Sequence, residues 1–346
     1  MQTENPDSPQ TEHKVELSAS EIANIWQSYM NDTMAICTIG TFLSNVKDQE
    51  VRSVLEYAMQ TSQAHAQKLK SFFNEEQFPV PDGFSVEHDV NSEAPRLFTD
   101  DFYLFYIQNI GKIGLTAYTI NLSNSARLDM CEYYTECLNE SSTLLNKATE
   151  IMLKKGTFIR SPFIPKPKVV EYVQKQSYLA GWFVTQRRPL NAIEIANIYY
   201  NLIQNQLGRT LLIGFSQVAK SEQVRDYMVR GRNIADKHVE VFGSILSKEY
   251  LPSASAWSTL PIDSTIAPFS DKLMMGHVAA LNMAGIGHYG MSIGQSPRRD
   301  LGTHYARLLT EITAYAEDGA NIMIDNGWLE QPPQATDREK LASDEK

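Results

Sequence analysis

A chain of 346 residues, 42% hydrophobic and 21% charged, is long enough for two ordinary soluble domains with a core apiece. Its formal net charge of −10 argues against a nucleic-acid surface, because phosphate binding needs clustered cations. The charge is uneven: residues 1–160 hold 12 basic and 22 acidic side chains, leaving 19 of each for the rest, so the first half carries the whole net charge.

Met1 to Leu17 is polar and acidic, unlike a secretory signal, and residues 1–16 read as a disordered lead-in. From Glu21 to Val46, Ile22, Ile25, Trp26, Tyr29, Met30, Thr33, Ile36 and Cys37 recur at three- and four-residue steps, the stripe of an amphipathic helix. Ser18 and Glu21 stand in capping-box positions at its start. Lys47-Asp48 breaks the pattern, and a second stripe runs through Val51, Val54, Leu55, Ala58, His65, Leu69 and Phe72. Phe78 to Phe98, with Pro79, Pro81, Gly83 and Pro95, reads as a connection. A third helix is expected from Thr99 to Ser123 and a fourth from Ala126 to Lys155, closed by Gly156.

The second half repeats the first. Leu17 to Ile25 (Leu-Ser-Ala-Ser-Glu-Ile-Ala-Asn-Ile) returns at Leu190 to Ile198, an offset of 173 that also pairs Phe42 with Phe215, His65 with His238 and Pro79 with Pro252. Beyond the proline-rich connection the offset is 171, pairing Phe98 with Phe269, Tyr118 with Tyr289, Arg127 and Asp129 with Arg298 and Asp300, and Gly156 with Gly327. A unit of this length is a domain, not a solenoid repeat. Helices one and two, and three and four, are joined too tightly to be anything but antiparallel neighbours. The connection between helices two and three spans up to about 65 Å, against about 39 Å for a 26-residue helix, so it can run the bundle length and make those helices parallel. The expected fold is all-α: two tandem ferritin-like four-helix bundles, each with a long crossover between helices two and three. The bundles occupy 17–156 and 190–330, with a 157–189 linker through which they pack and a disordered 331–346 tail.

Several motifs carry a family likeness: Met-Asn-Asp at 30–32, Ser-Pro-Phe-Ile-Pro at 161–165, Ala-Gly-Trp-Phe at 180–183, Pro-Phe-Ser-Asp-Lys-Leu-Met-Met at 268–275 and Glu-Asp-Gly-Ala-Asn-Ile-Met-Ile at 317–324. With the tandem arrangement they resemble a family of endospore-forming Gram-positive bacteria known as domain of unknown function 3231, over about residues 16–334. The resemblance implies a tandem ferritin-like fold, a sporulating host and no established activity.

A ferritin-type di-iron site needs Glu-x-x-His on two helices. The residues three before the seven histidines are Gln10, Ser62, Ser85, Ala235, Met274, Gly285 and Leu301, so that motif is absent. Glu21 with Glu194, and His65 with His238, are the polar positions both copies share; they read as a helix-start glutamate and a core histidine, too far apart along the helices to bind one ion. His288 and His304 flank the turn at Ser296-Pro297 at equal distance and come level on antiparallel helices, with Asp300 as a third ligand for a transition metal. Gly276, Gly285, Gly287, Gly290 and Gly294 read as close helix packing, with His277, Asn282 and His288 arguing against a membrane span. Trp182, Phe183 and Trp257 read as clamps between the domains, and Cys37, Cys131 and Cys137 as small buried hydrophobes in a reducing compartment.

These residues point to a non-enzymatic structural or interaction protein of a spore-forming bacterium, built of two metal-free bundles without a cofactor. It is expected to take protein partners or to self-associate, to bind no nucleic acid, and to be cytoplasmic, in the mother cell or with the spore. The alternative is an atypical metal-dependent or redox enzyme using His288 and His304.

Overall fold

The computed structural model describes residues 15–181, 187–253 and 261–343, and among these the regular structure is helical. The first bundle comprises α1 (Ala19–Asn45), α2 (Gln49–Glu75), the one-turn α3 (Val86–Asp89), α4 (Asp100–Ser123) and α5 (Leu128–Lys154). The second comprises α6 (Ala192–Val218), α7 (Glu222–Lys248), α8 (Asp271–Gln295) and α9 (Arg299–Asp325); a short α10 (Arg338–Ser343) follows. Caps set the boundaries. Ser18 and Asn191 form capping boxes with Glu21 and Glu194, and Asp48, Thr99, Ser221 and Ser270 accept from the first-turn amides of their helices. Gly156 and Gly327, at φ of 70° and 67°, end α5 and α9 in the left-handed conformation that glycine adopts without penalty.

One carboxylate per bundle fixes the direction of the third long helix. Asp100, at the head of α4, accepts from the amides of Lys47 (3.1 Å) and Asp48 (2.8 Å) at the head of α2, while further along His65 of α2 faces Tyr118 of α4. Asp271 does the same for Lys220 (3.1 Å) and Ser221 (2.8 Å), and His238 faces Tyr289. The second and third long helices are therefore parallel in each bundle, with the crossover running between their opposite ends.

The two bundles meet about an internal pseudo-twofold axis. The crossovers touch through two antiparallel bridges, Val90 with Phe269 and Phe98 with Pro261. By the 171-residue offset, Val90 corresponds to Pro261 and Phe98 to Phe269, so each bridge is the other's symmetry mate, the reciprocal pattern of an isologous dimer. Tyr106 and His277 also correspond, and they meet: the Tyr106 hydroxyl lies 2.8 Å from His277 Nε2. His277 Nδ1–H donates to the carbonyl of Leu273 (3.1 Å), so Nε2 is the acceptor and the ring is neutral; burial holds its pKa down to about 4. A continuous apolar cluster containing Phe42, Phe102, Leu104, Phe215, Phe269 and Met274 spans this joint, while two further clusters fill the distal ends of the bundles.

Several expectations need correction. The 157–189 stretch is not the joint: its described part is largely exposed, and the bundles pack directly through their helices and crossovers. Residues 331–343, expected as a disordered tail, include α10, none of whose residues is buried. Close packing holds for Gly276, where an added Cβ would come within 2.5 Å of Phe84, but nothing lies within 4 Å of such an atom at Gly287, Gly290 or Gly294. Trp182, Phe183 and Trp257 fall outside the described residues, as do 1–14 of the lead-in. No helix among the described residues is long and apolar enough to cross a membrane.

Candidate functional site

The shared glutamates act as clasps. Glu21 Oε2 accepts from the Ser18 amide (2.8 Å), and Oε1 accepts from the amides of Ala126 (3.0 Å) and Arg127 (2.9 Å), tying the start of α1 to the α4–α5 turn. Burial alone would raise its pKa; these donors outweigh it and bring it down to about 2. Glu194 takes the same place in the second bundle, accepting from the Arg298 amide (3.2 Å) and from both terminal nitrogens of Arg188 (2.8 and 2.6 Å). Beside each clasp an arginine bridges two acids: Arg127 binds Asp129 and Glu76, and the buried Arg298 binds Asp300 and Glu249. Sequence reading found the pairs Arg127/Arg298 and Asp129/Asp300 but missed that each arginine forms a fork around its own aspartate.

That fork decides the fate of the His288, His304 and Asp300 set. Asp300 accepts two Arg298 donors, both at 2.9 Å, and lies 3.4 Å from Arg187; these cations outweigh burial and lower its pKa. His288 Nε2 sits 3.0 Å from the Tyr200 hydroxyl, and burial lowers the pKa of both His288 and His304. Among the described residues these three side chains are not gathered into a set of ligand atoms. The aspartate that sequence spacing offered as a third ligand is committed to arginine.

The polar centres of the bundles lie instead at His65 and His238. Each histidine is buried on the second helix between a tyrosine of the third and a glutamate of the fourth, at corresponding positions: His65 with Tyr118 and Glu140, His238 with Tyr289 and Glu311. In the second bundle the arrangement is a neutral chain. Asn205 donates to the Tyr289 hydroxyl (2.7 Å), that hydroxyl donates to His238 Nδ1 (2.8 Å), and Nε2–H donates to Glu311 (3.2 Å). Burial lowers the His238 pKa, in keeping with a neutral ring.

The first bundle differs at two of these surrounding positions. Asp32 stands where Asn205 does, and Cys137 where Leu308 does. His65 Nε2–H donates to Glu140 (2.6 Å), and Nδ1 lies 3.6 Å from Asp32. Burial alone would depress the imidazole pKa, but Asp32, Cys137 and Glu140 reverse this and raise it. Burial raises the pKa of Asp32, with His65 pulling the other way, and raises that of the Cys137 thiol. The acids around His65 favour its charged ring beside Glu140, while burial works against charge on Asp32 and Cys137. Single ligand atoms of His65, Cys137 and Glu140 lie within 4.8 Å of one another. One imidazole and one thiol in the set do not fit a carboxylate-bridged di-iron centre, which takes four glutamates and two histidines.

Away from these centres, a cleft of about 490 Å³ lies between the bundles, lined in part by Phe105, Lys112, Phe158, Tyr199 and Tyr200. Burial there lowers the Lys112 pKa to about 8.

The model of the family described as "Protein of unknown function (DUF3231)" matches residues 8–170 and again residues 179–341, one match per bundle. No curated protein matches the chain significantly. Among solved structures, one from Bacillus halodurans C-125, described as a candidate spore coat protein, is 17% identical with a TM-score of 0.40; the alignment covers 43% of this chain and 98% of that one.

Proposed function

We propose that this chain, which belongs to the DUF3231 family, is a non-enzymatic structural or interaction protein of a spore-forming bacterium, acting by self-association of an internally dimerised unit. The observation that carries the reading is an exposed apolar strip between the bundles. Phe163, Val169, Val170, Tyr172 and Val173 are 86, 67, 84, 80 and 61% exposed within 11 residues. Apolar side chains so concentrated on a surface mark a contact for another chain. The internal joint supports the same reading, because the dimer surface that two separate bundles would share is already consumed inside one chain. Charge favours a head-to-tail contact of the acidic first bundle with the less acidic second bundle of a neighbour, which lessens acid-against-acid repulsion and propagates unless it closes into a ring.

Light scattering of the purified chain over a hundredfold concentration range tests this. Growth in mass with concentration is expected, and its loss in Val170→Asp/Tyr172→Asp, whose exposed positions leave the fold intact. A wild-type chain that stays monomeric throughout overturns the proposal.

A further inference from the structure

We propose that His65, Cys137 and Glu140 hold one divalent transition metal of the zinc type in the first bundle, with Asp32 behind the histidine, against the expectation of a metal-free core. The donor set is one imidazole nitrogen, one sulfur and one carboxylate oxygen, which suits zinc or cobalt and not calcium or magnesium. The three donor atoms already lie within 4.8 Å of one another. Tetrahedral bonds of about 2.0–2.3 Å bring ligand atoms to about 3.3–3.8 Å apart, so a shift of roughly 1 Å completes the geometry.

Asp32 supplies an independent observation. It is 5% exposed, it lies 3.6 Å from Nδ1, the ring nitrogen opposite the Nε2 that Glu140 faces, and its Oδ2 has no hydrogen-bond partner. A buried carboxylate is costly without compensation, and on the far nitrogen of a metal-bound imidazole it takes the orienting place that carboxylates hold behind ligating histidines.

The second bundle serves as an internal control. It keeps the histidine, tyrosine and glutamate but has Asn205 and Leu308 in place of Asp32 and Cys137, and its centre closes as a neutral hydrogen-bonded chain. The fold therefore needs neither the acid nor the thiol; the first bundle retains both at a desolvation cost. The ligands come from α2 and α5, with Asp32 of α1 behind the histidine, so a bound ion staples two helices directly. Glu140, whose side chain is 27% exposed, provides the route in from solvent. With three protein ligands the fourth tetrahedral position is left to a water. A metal needs the Cys137 thiolate and an unprotonated imidazole nitrogen, so affinity falls as pH falls.

The test is a Co²⁺ titration of chelator-treated full-length protein, followed by absorbance. One equivalent of Co²⁺ should give a thiolate-to-cobalt band in the near ultraviolet with tetrahedral visible bands, removable by Zn²⁺, and should raise the melting temperature. Asp32→Asn/Cys137→Leu, which installs the residues of the second bundle and so retains the fold by circular dichroism, should lose the thiolate band and bind at least a hundredfold more weakly. Absence of cobalt binding by the folded wild type, binding without a thiolate band, or unchanged binding by the double variant would each overturn the site.

Discussion

At the scale of single residues, the most informative positions are those where the two copies disagree. Tyr106 and His277 occupy one repeat position and meet across the pseudo-twofold axis, where two identical side chains would have to bond to themselves. A hydroxyl donor facing a neutral imidazole acceptor resolves that, and the asymmetry has a pH signature. The folded pKa of His277 is about 4 against an unfolded value of 6.5, so the unfolded chain takes up the proton first. Stability from this group is present above pH 6.5 and is lost as pH falls toward 4. Between pH 7 and pH 5 the loss is about 2 kcal/mol. Denaturant midpoints at the two pH values should show this for the wild type and a smaller change for His277→Gln; equal changes would mean that the ring is not held neutral.

The same comparison explains what was legible in the sequence. His65 and His238 stood out because they recur, as did Glu21 and Glu194, and the structure places all four inside bonded polar networks. Asp32 and Cys137 did not recur, so a search for shared positions passed over the two residues that set the first centre apart. Glu140 and Glu311 recur at the same offset but sit among many surface acids, and only the packing of α5 and α9 brings them to a histidine.

At the scale of elements, cap residues, glycine ends and connection lengths defined the long helices and their parallel arrangement before any contact was known. The clasps were hidden because their bonds join segments about a hundred residues apart. The two clasps should differ in strength. Removing Glu194 leaves the Arg188 guanidinium without its carboxylate and the buried Arg298 amide without its acceptor, so Glu194→Ala should cost about 3–5 kcal/mol. Glu21→Ala loses amide and hydroxyl donors only and should cost about 1–2 kcal/mol. Equal losses in chemical denaturation would contradict the distinction.

The α7–α9 seam carries another element-level prediction. Tyr227 and Tyr315 stack at 4.2 Å and each donates its hydroxyl to the other's carbonyl at 3.1 Å. A Cβ at Gly231 would lie 2.1 Å from the Tyr315 hydroxyl, and one at Gly319 would lie 2.2 Å from that of Tyr227. The first bundle has Ala58 and Ala148 at those places, opposite Leu144 and Val54 in place of the tyrosines. Gly231→Ala should therefore destabilise by about 1–3 kcal/mol through overpacking, although alanine favours helix. A gain in melting temperature would show that the seam yields.

At the scale of the whole molecule, the two bundles behave as a dimer whose subunits share one chain. The tandem repeat announced two domains, but it could not announce how they meet, because the joint is made from crossover residues that look like ordinary loops. Val90, Leu97, Phe98 and Phe269 gain their role only when the two crossovers lie side by side. A joint built on a shared apolar core makes the halves unfold together, whereas two bundles on a flexible linker would melt separately. Differential scanning calorimetry of the full chain measures this directly. A single transition is expected, with a calorimetric enthalpy equal to the van't Hoff enthalpy, and with Phe98→Ala lowering the whole transition. Two resolved transitions, or a Phe98→Ala effect confined to one of them, would contradict a single internally dimerised unit.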